Sequence, residues 1–146
     1  MRYIYILTPT IAWLVSQILK FMFENMQQKK LRWDLFVRSG GMPSAHSAST
    51  ASLATLIGLN EGFTSPIFAV AALFCLVVMY DARGVRYASG KQATYLNILV
   101  SELKDELENS EAENLELLKT EIGHSAFQVL AGLVVGISIA FIMNSL

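Results

Sequence analysis

The residues able to do acid, base or nucleophilic chemistry near neutral pH are few. There are two histidines, His46 and His124, and imidazole is the side chain whose ordinary pKa suits all three tasks. His46 follows Ser39-Gly40-Gly41-Met42-Pro43-Ser44-Ala45, and His124 follows Gly123. Each stands where an apolar segment meets a segment rich in basic residues. An ionisable residue at the mouth of a membrane span is a functional candidate by default.

The stretch before His46 suits an anion. Gly40 and Gly41 allow a backbone to approach a ligand closely. Pro43 fits a first helical turn, and Ser44 or Ser39 can cap it. Free amides at such a helix start, together with the helix dipole, favour phosphate. The same pattern also describes an ordinary Gly-Gly loop before a capped helix. Cations are at hand in Asp81-Ala82-Arg83-Gly84-Val85-Arg86, where Arg83, Arg86 and Gly90 recur at three and four. A guanidinium grips phosphate with two parallel hydrogen bonds. A purely topological role for both arginines is the competing reading. Lys20 lies one turn from the basic end of the first apolar segment, beside Ser16 and Gln17. It suits phosphate contact and simple snorkelling to the interface equally well.

These residues must be positioned by membrane helices. The chain has 146 residues, which favours one domain over 1–146. Apolar residues make up 53%, mean hydropathy is +0.45 and charged residues are only 16%. A net charge of −1 gives no bulk basicity for nucleic acid. A span needs roughly 20 mostly apolar residues. Tyr3 to Phe23, Phe63 to Tyr80 and Ala126 to Leu146 meet this. Ser44 to Leu59 is richer in Ser, Thr and Ala, with Ser47, Ala51, Thr55 and Gly58 at spacings of three and four. That pattern predicts an inner helix packed closely against the others, with a re-entrant or surface helix as the alternative. The first segment lacks a small-x-small cleavage site and reads as a retained helix. The expected fold is all-α: a bundle of about four spanning helices.

Lys29, Lys30, Arg32 and Arg38 lie after the first span, and Arg83, Arg86, Lys91, Lys104 and Lys119 after the third. The positive-inside rule puts these segments in the cytoplasm and both termini outside. Between the third and fourth spans, Leu96, Leu99, Leu103 and Leu107, then Leu115, Leu118 and Ile122, predict an amphipathic helical hairpin. Ser110 and Glu113 have capping-box spacing for its second arm. The acids from Glu102 to Glu116 run along these helices as a solvated face, with cation binding by paired carboxylates as the competing reading. Cys75 is the only cysteine, inside an apolar run, and reads as a small buried hydrophobe.

The order Lys20, Pro43-Ser44-Ala45-His46, an arginine segment and His124 resembles the type 2 phosphatidic acid phosphatase and vanadium haloperoxidase superfamily. The match is nearer its divergent, short, membrane-embedded branch, the acid phosphatase/vanadium-dependent haloperoxidase-related proteins. Gly40 to Ala48, Asp81 to Arg86 with Gly90-Lys91-Gln92-Ala93, and Gly123-His124-Ser125 with Gln128-Val129-Leu130-Ala131-Gly132 carry the resemblance, over nearly the whole chain. It implies a metal-independent phosphatase of lipid-linked phosphates, without cofactor, in the cell membrane. Lys20, Gly40, Gly41, Ser44, Arg83 and Arg86 would bind phosphate. His124 would be the nucleophile, His46 the acid for the leaving group and Gln128 the partner of His124. Three positions depart from the larger superfamily's pattern. Ala45 replaces a glycine, Leu118 stands where an arginine precedes the nucleophile, and Gln128 stands where an aspartate follows it. The implied partner is a membrane lipid phosphate such as phosphatidic acid, phosphatidylglycerophosphate or a polyprenyl diphosphate, and a homo-oligomer is compatible with all of this. A lipid-phosphate-binding scaffold with weak catalysis, or a small transporter subunit, would also account for polar residues within spans.

Overall fold

A backbone crossing hydrocarbon must satisfy its own hydrogen bonds, and helices do this within one segment. The computed structural model describes residues 3–28, 41–106, 117–120 and 123–146, and its regular elements are all helices. These are α1 (Ile4–Gln28), α2 (Ala45–Glu61), α3 (Pro66–Arg83), α4 (Val85–Glu106) and α5 (Ala126–Asn144). Among the described residues, three stretches are long and apolar enough to cross a membrane: Ile4–Met26, Pro66–Glu102 and Ala126–Asn144. Helix α2 has 17 residues, about 25 Å at 1.5 Å per residue, and is less apolar. It is the fourth, inner helix that the small-residue spacing predicts.

The residue distribution suits lipid rather than water. Large apolar side chains such as Ile6, Ile18, Val70, Leu73, Phe127 and Val134 point outward, while the interior is built from Ala12, Ser16, Ser47, Ala48, Ser52, Leu56 and Ala140. Lipid offers no hydrophobic drive for helix association, so close backbone approach and interhelical hydrogen bonds must supply it. Helix α5 shows how. Gly132, Gly136 and Ala140 are four apart; a Cβ on Gly132 or Gly136 would strike the carbonyl oxygen of Ser44 or Ala48. Helices α2 and α5 therefore run side by side in the same direction, and Asn60 Nδ2 donates to Asn144 Oδ1 (3.0 Å) where both end. Helix α1 runs the other way. Its Ser16, Lys20 and Thr8 face inward, Ser49 Oγ donates to the Pro9 carbonyl (3.1 Å), and Tyr5 OH donates to Glu61 Oε1 (3.1 Å) at the far end. Helix α3 flanks α2 on another side, with Thr50 Oγ1 3.5 Å from Cys75 Sγ.

Helix α3 passes almost directly into α4. Gly84 (φ −88°, ψ −86°) interrupts the dihedrals. Helical hydrogen bonds nevertheless bracket it, from Gly84 N–H to Tyr80 C=O (2.7 Å) and from Ala88 N–H to Gly84 C=O (2.9 Å). Helix α4 is the first arm of the expected hairpin. Leu117–Thr120, within the expected second arm, is not helical, and Ser110 with Glu113 lies outside the described residues. Helical spacing there meets a stronger local competitor: Asn97 binds the Leu118 backbone on both sides.

Candidate functional site

Because α1 and α3 run opposite to α2 and α5, four helix ends meet at one end of the bundle. The end of α1 brings Lys20, the start of α2 brings Gly41 to His46, the α3–α4 junction brings Asp81 to Arg86, and the approach to α5 brings His124. Both α2 and α5 present their N-termini here, the ends that favour negative charge. Ser44 caps α2, accepting from Ser47 N–H (3.4 Å) and Ser47 Oγ (3.0 Å). Ser125 caps α5 in a reciprocal box with Gln128. Pro43 falls one residue before the α2 cap, outside the first turn that its ring geometry would suit.

His124 lies two residues before α5 and is 8% exposed. Its backbone N–H donates to the Ala82 carbonyl (3.0 Å), which ties it to the end of α3. Its Nδ1 is 3.4 Å from Gln128 Oε1. Burial holds the imidazole below its ordinary pKa; the Gln128 contact opposes this, His46 and Lys20 lower it further, and a hydrogen bond to the Gly41 backbone raises it. The net direction is downward, which favours the neutral imidazole, the form that can act as nucleophile or base. His46, in the first turn of α2, is exposed. It is near enough for its charge to be felt by His124.

Lys20 is only 4% exposed and sits with Glu24 one turn on. Gly41 fills the space between this pair and His124. Its φ of +79° suits glycine, and a Cβ there would strike Glu24 Oε1 and come within 2.8 Å of Lys20 Cδ. The Ser44 N–H donates to the Gln128 carbonyl (3.0 Å), and Ser44 is fully buried. Its backbone donor is therefore committed to fastening α2 to α5. The amides of Ala45 and His46, in the first turn of α2, have no carbonyl one turn back within the helix. Arg86 Nε pairs with Asp81 Oδ2 (2.6 Å), both side chains being half exposed. Arg83 is exposed at the end of α3 and forms no ion pair among the described residues. Gly40 lies outside the described residues.

The geometry adds residues that spacing alone did not single out. Glu24 stands one turn beyond Lys20, a spacing that i, i+4 charge pairing could have flagged. Asp81 precedes Arg86 by five, and no local rule joins them. Among the described residues no group of His, Cys, Asp and Glu could hold a metal ion.

A family model described as the Divergent PAP2 family matches residues 2–139. The chain is also similar to the "Uncharacterized membrane protein YuiD" of Bacillus subtilis (strain 168), with 36% identity over 145 residues, covering 94% of this chain and 92% of the relative. No solved structure matches.

Proposed function

We propose that this chain, which belongs to the Divergent PAP2 family, is a phosphatase of lipid-linked phosphates that works through a phosphohistidine and needs no metal. The observation that carries the reading is the convergence of four helix ends around the buried His124, which is tied to Ala82 and faces Gln128, with Lys20, Gly41 and His46 at the same end of the bundle. Family membership supports a phosphatase-related role. Specific hydrolysis is the finer step proposed here.

Lys20, Gly41 and the first-turn amides of α2 hold the phosphate, with Arg86 and Arg83 closing from the α3–α4 junction. Phosphoryl transfer is catalysed mainly by such positioning and charge stabilisation. His124 attacks phosphorus, forming an N–P bond as the bond to the leaving oxygen breaks. His46 gives its proton to that oxygen. It then takes a proton from the water that attacks the phosphohistidine, which returns phosphate and free His124. Gln128 Oε1 accepts Nδ1–H and leaves Nε2 for attack. The substrate is amphiphilic because the site lies at the ends of spanning helices. The distribution of basic residues favours the cytoplasmic side of the cell membrane.

A second reading, a lipid-phosphate-binding scaffold that hydrolyses weakly, is favoured by two features. Gln128 is neutral where a carboxylate would stabilise imidazolium, and Glu24 sits beside Lys20. Detergent-solubilised protein assayed for phosphate release from phosphatidic acid, with and without EDTA, separates the two. Release that survives the chelator and is lost in His124→Ala supports the phosphatase. Saturable binding without release supports the scaffold.

A further inference from the structure

Leu118 and Asn97 are 21 residues apart in sequence, yet the Asn97 side chain makes both bonds that a strand partner would make. Its Nδ2 donates to the Leu118 carbonyl (2.9 Å), and its Oδ1 accepts the Leu118 N–H (2.9 Å). Only a primary amide offers donor and acceptor in this fixed pair. Further along, Gly123 rests on the backbone of Arg86 and Tyr87, so closely that a Cβ could not fit. One residue later the His124 N–H donates to the Ala82 carbonyl (3.0 Å). The chain that delivers His124 thus docks on the α3–α4 rod at three successive places.

The lengths set a short tether. Asn97 and Tyr87 are ten residues apart on α4, about 15 Å along a helix axis. Leu118 and Gly123 are five residues apart, with a reach of at most about 16–18 Å. Fixing Leu118 therefore restrains where Gly123 can lie, and Gly123 restrains His124.

We propose that Asn97 is a positioning residue for His124, acting from about three turns along α4 through the segment it fastens at Leu118. In its catalytic consequence this rests on the phosphatase reading above; in its structural content it does not. Asn97 touches neither histidine. It sets how often the His124 backbone stays on Ala82 and the ring stays in its buried place.

The test is amide hydrogen exchange and histidine NMR titration on the full-length protein in detergent micelles, comparing wild type with Asn97→Ala and Asn97→Asp. Two hydrogen bonds of ordinary net strength hold the clamp, so its loss should speed exchange of the Leu118 and His124 amides by about tenfold or more. The His124 pKa should rise toward its ordinary value as burial is lost. Asn97→Asp, nearly isosteric and thus least disruptive to folding, keeps the acceptor, loses the donor and should change both readouts in the same direction. Ser101→Ala, on α4 beyond the clamp, should change neither. Unchanged His124 exchange and titration in folded Asn97→Asp and Asn97→Ala would overturn the proposal. So would an equal change in Ser101→Ala. Wild-type protein that hydrolyses no lipid phosphate would end the phosphatase reading while leaving these readouts to decide the role of Asn97. If it does hydrolyse, Asn97→Ala should lower kcat with little change in KM.

Discussion

The side-chain oxygen of Gln128 stands 3.4 Å from Nδ1 of His124, and the same oxygen accepts the Ser125 N–H at 2.9 Å. One amide therefore closes the capping box of α5 and faces the candidate nucleophile. The shorter bond is to the cap, so the position of Gln128 is set first by the helix start, and His124 meets an acceptor already fixed in place.

That double duty separates two substitutions. Glu at this position keeps the length and the acceptor that the capping box needs, and adds a charge that favours imidazolium. Gln128→Glu should raise the His124 pKa and raise kcat by about tenfold at most, far less than the ~10⁴ that separates amide and carboxylate in a serine protease triad. Asp is one methylene shorter and should weaken the cap, lowering the thermal midpoint of the solubilised protein. Histidine NMR and phosphate release measure both. A lower His124 pKa in Gln128→Glu would contradict the arrangement.

Lys20 tests the electrostatics of the same ring. Its positive charge helps to hold the His124 pKa down. Lys20→Met keeps most of the buried stem and removes the charge, so the His124 pKa should rise. A nucleophile must be neutral, so activity that falls as pH drops through this pKa should begin to fall at a higher pH in the variant. The acid limb of kcat/KM should shift upward, together with the NMR titration. A downward shift of either would place Lys20 elsewhere.

The two histidines should be separable by trapping. His124→Ala should remove both turnover and any acid-labile phosphoenzyme. His46→Ala should slow turnover of alkyl phosphates by about 10²–10⁴, the usual contribution of general acid catalysis. It should still form some phosphoenzyme with an aryl phosphate, whose leaving group needs no proton. Trapped phosphate on His46 instead would exchange the roles.

How much of this was legible in the sequence follows from which interactions are local. The small-residue spacing of α2, the cap at Ser44 and the apolar lengths of α1, α3 and α5 are local properties, and the helices follow them. The Gly132–Gly136 face was legible in principle, because small residues four apart mark close helix packing in membranes. Glu24 beside Gly41, Ser44 N–H on the Gln128 carbonyl and Asn97 on Leu118 are set only when distant segments dock. The leucine spacing at Leu115, Leu118 and Ile122 misleads at Leu118, because an amide 21 residues away takes both its backbone groups.

Arg86 and Arg83 are alike by sequence spacing, and the structure distinguishes them. Asp81 binds Arg86 through Nε, so the terminal pair Nη1 and Nη2 is not consumed by that bond and remains suited to a two-pronged grip on phosphate. An exposed ion pair of this kind stabilises little, about 0–1 kcal/mol, so its effect should appear as orientation rather than folding. Both arginines lie beside the segment that delivers His124, Arg86 under Gly123 and Arg83 next to Ala82, whose carbonyl accepts the His124 N–H, so the Asp81 ion pair is what separates them. Arg86→Ala should therefore weaken binding of orthovanadate, a phosphate mimic, by about tenfold or more, in line with the loss of a charged hydrogen bond. Arg83→Ala should cost about threefold or less. Arg86→Lys should recover little, because an ammonium cannot keep the Asp81 bond and a planar fork together. Asp81→Asn should leave the thermal midpoint nearly unchanged and weaken vanadate binding less than Arg86→Ala does. Inhibition constants measured with an aryl phosphate substrate decide the matter: equal effects of Arg83→Ala and Arg86→Ala, or full recovery by Arg86→Lys, would remove the distinction drawn from Asp81.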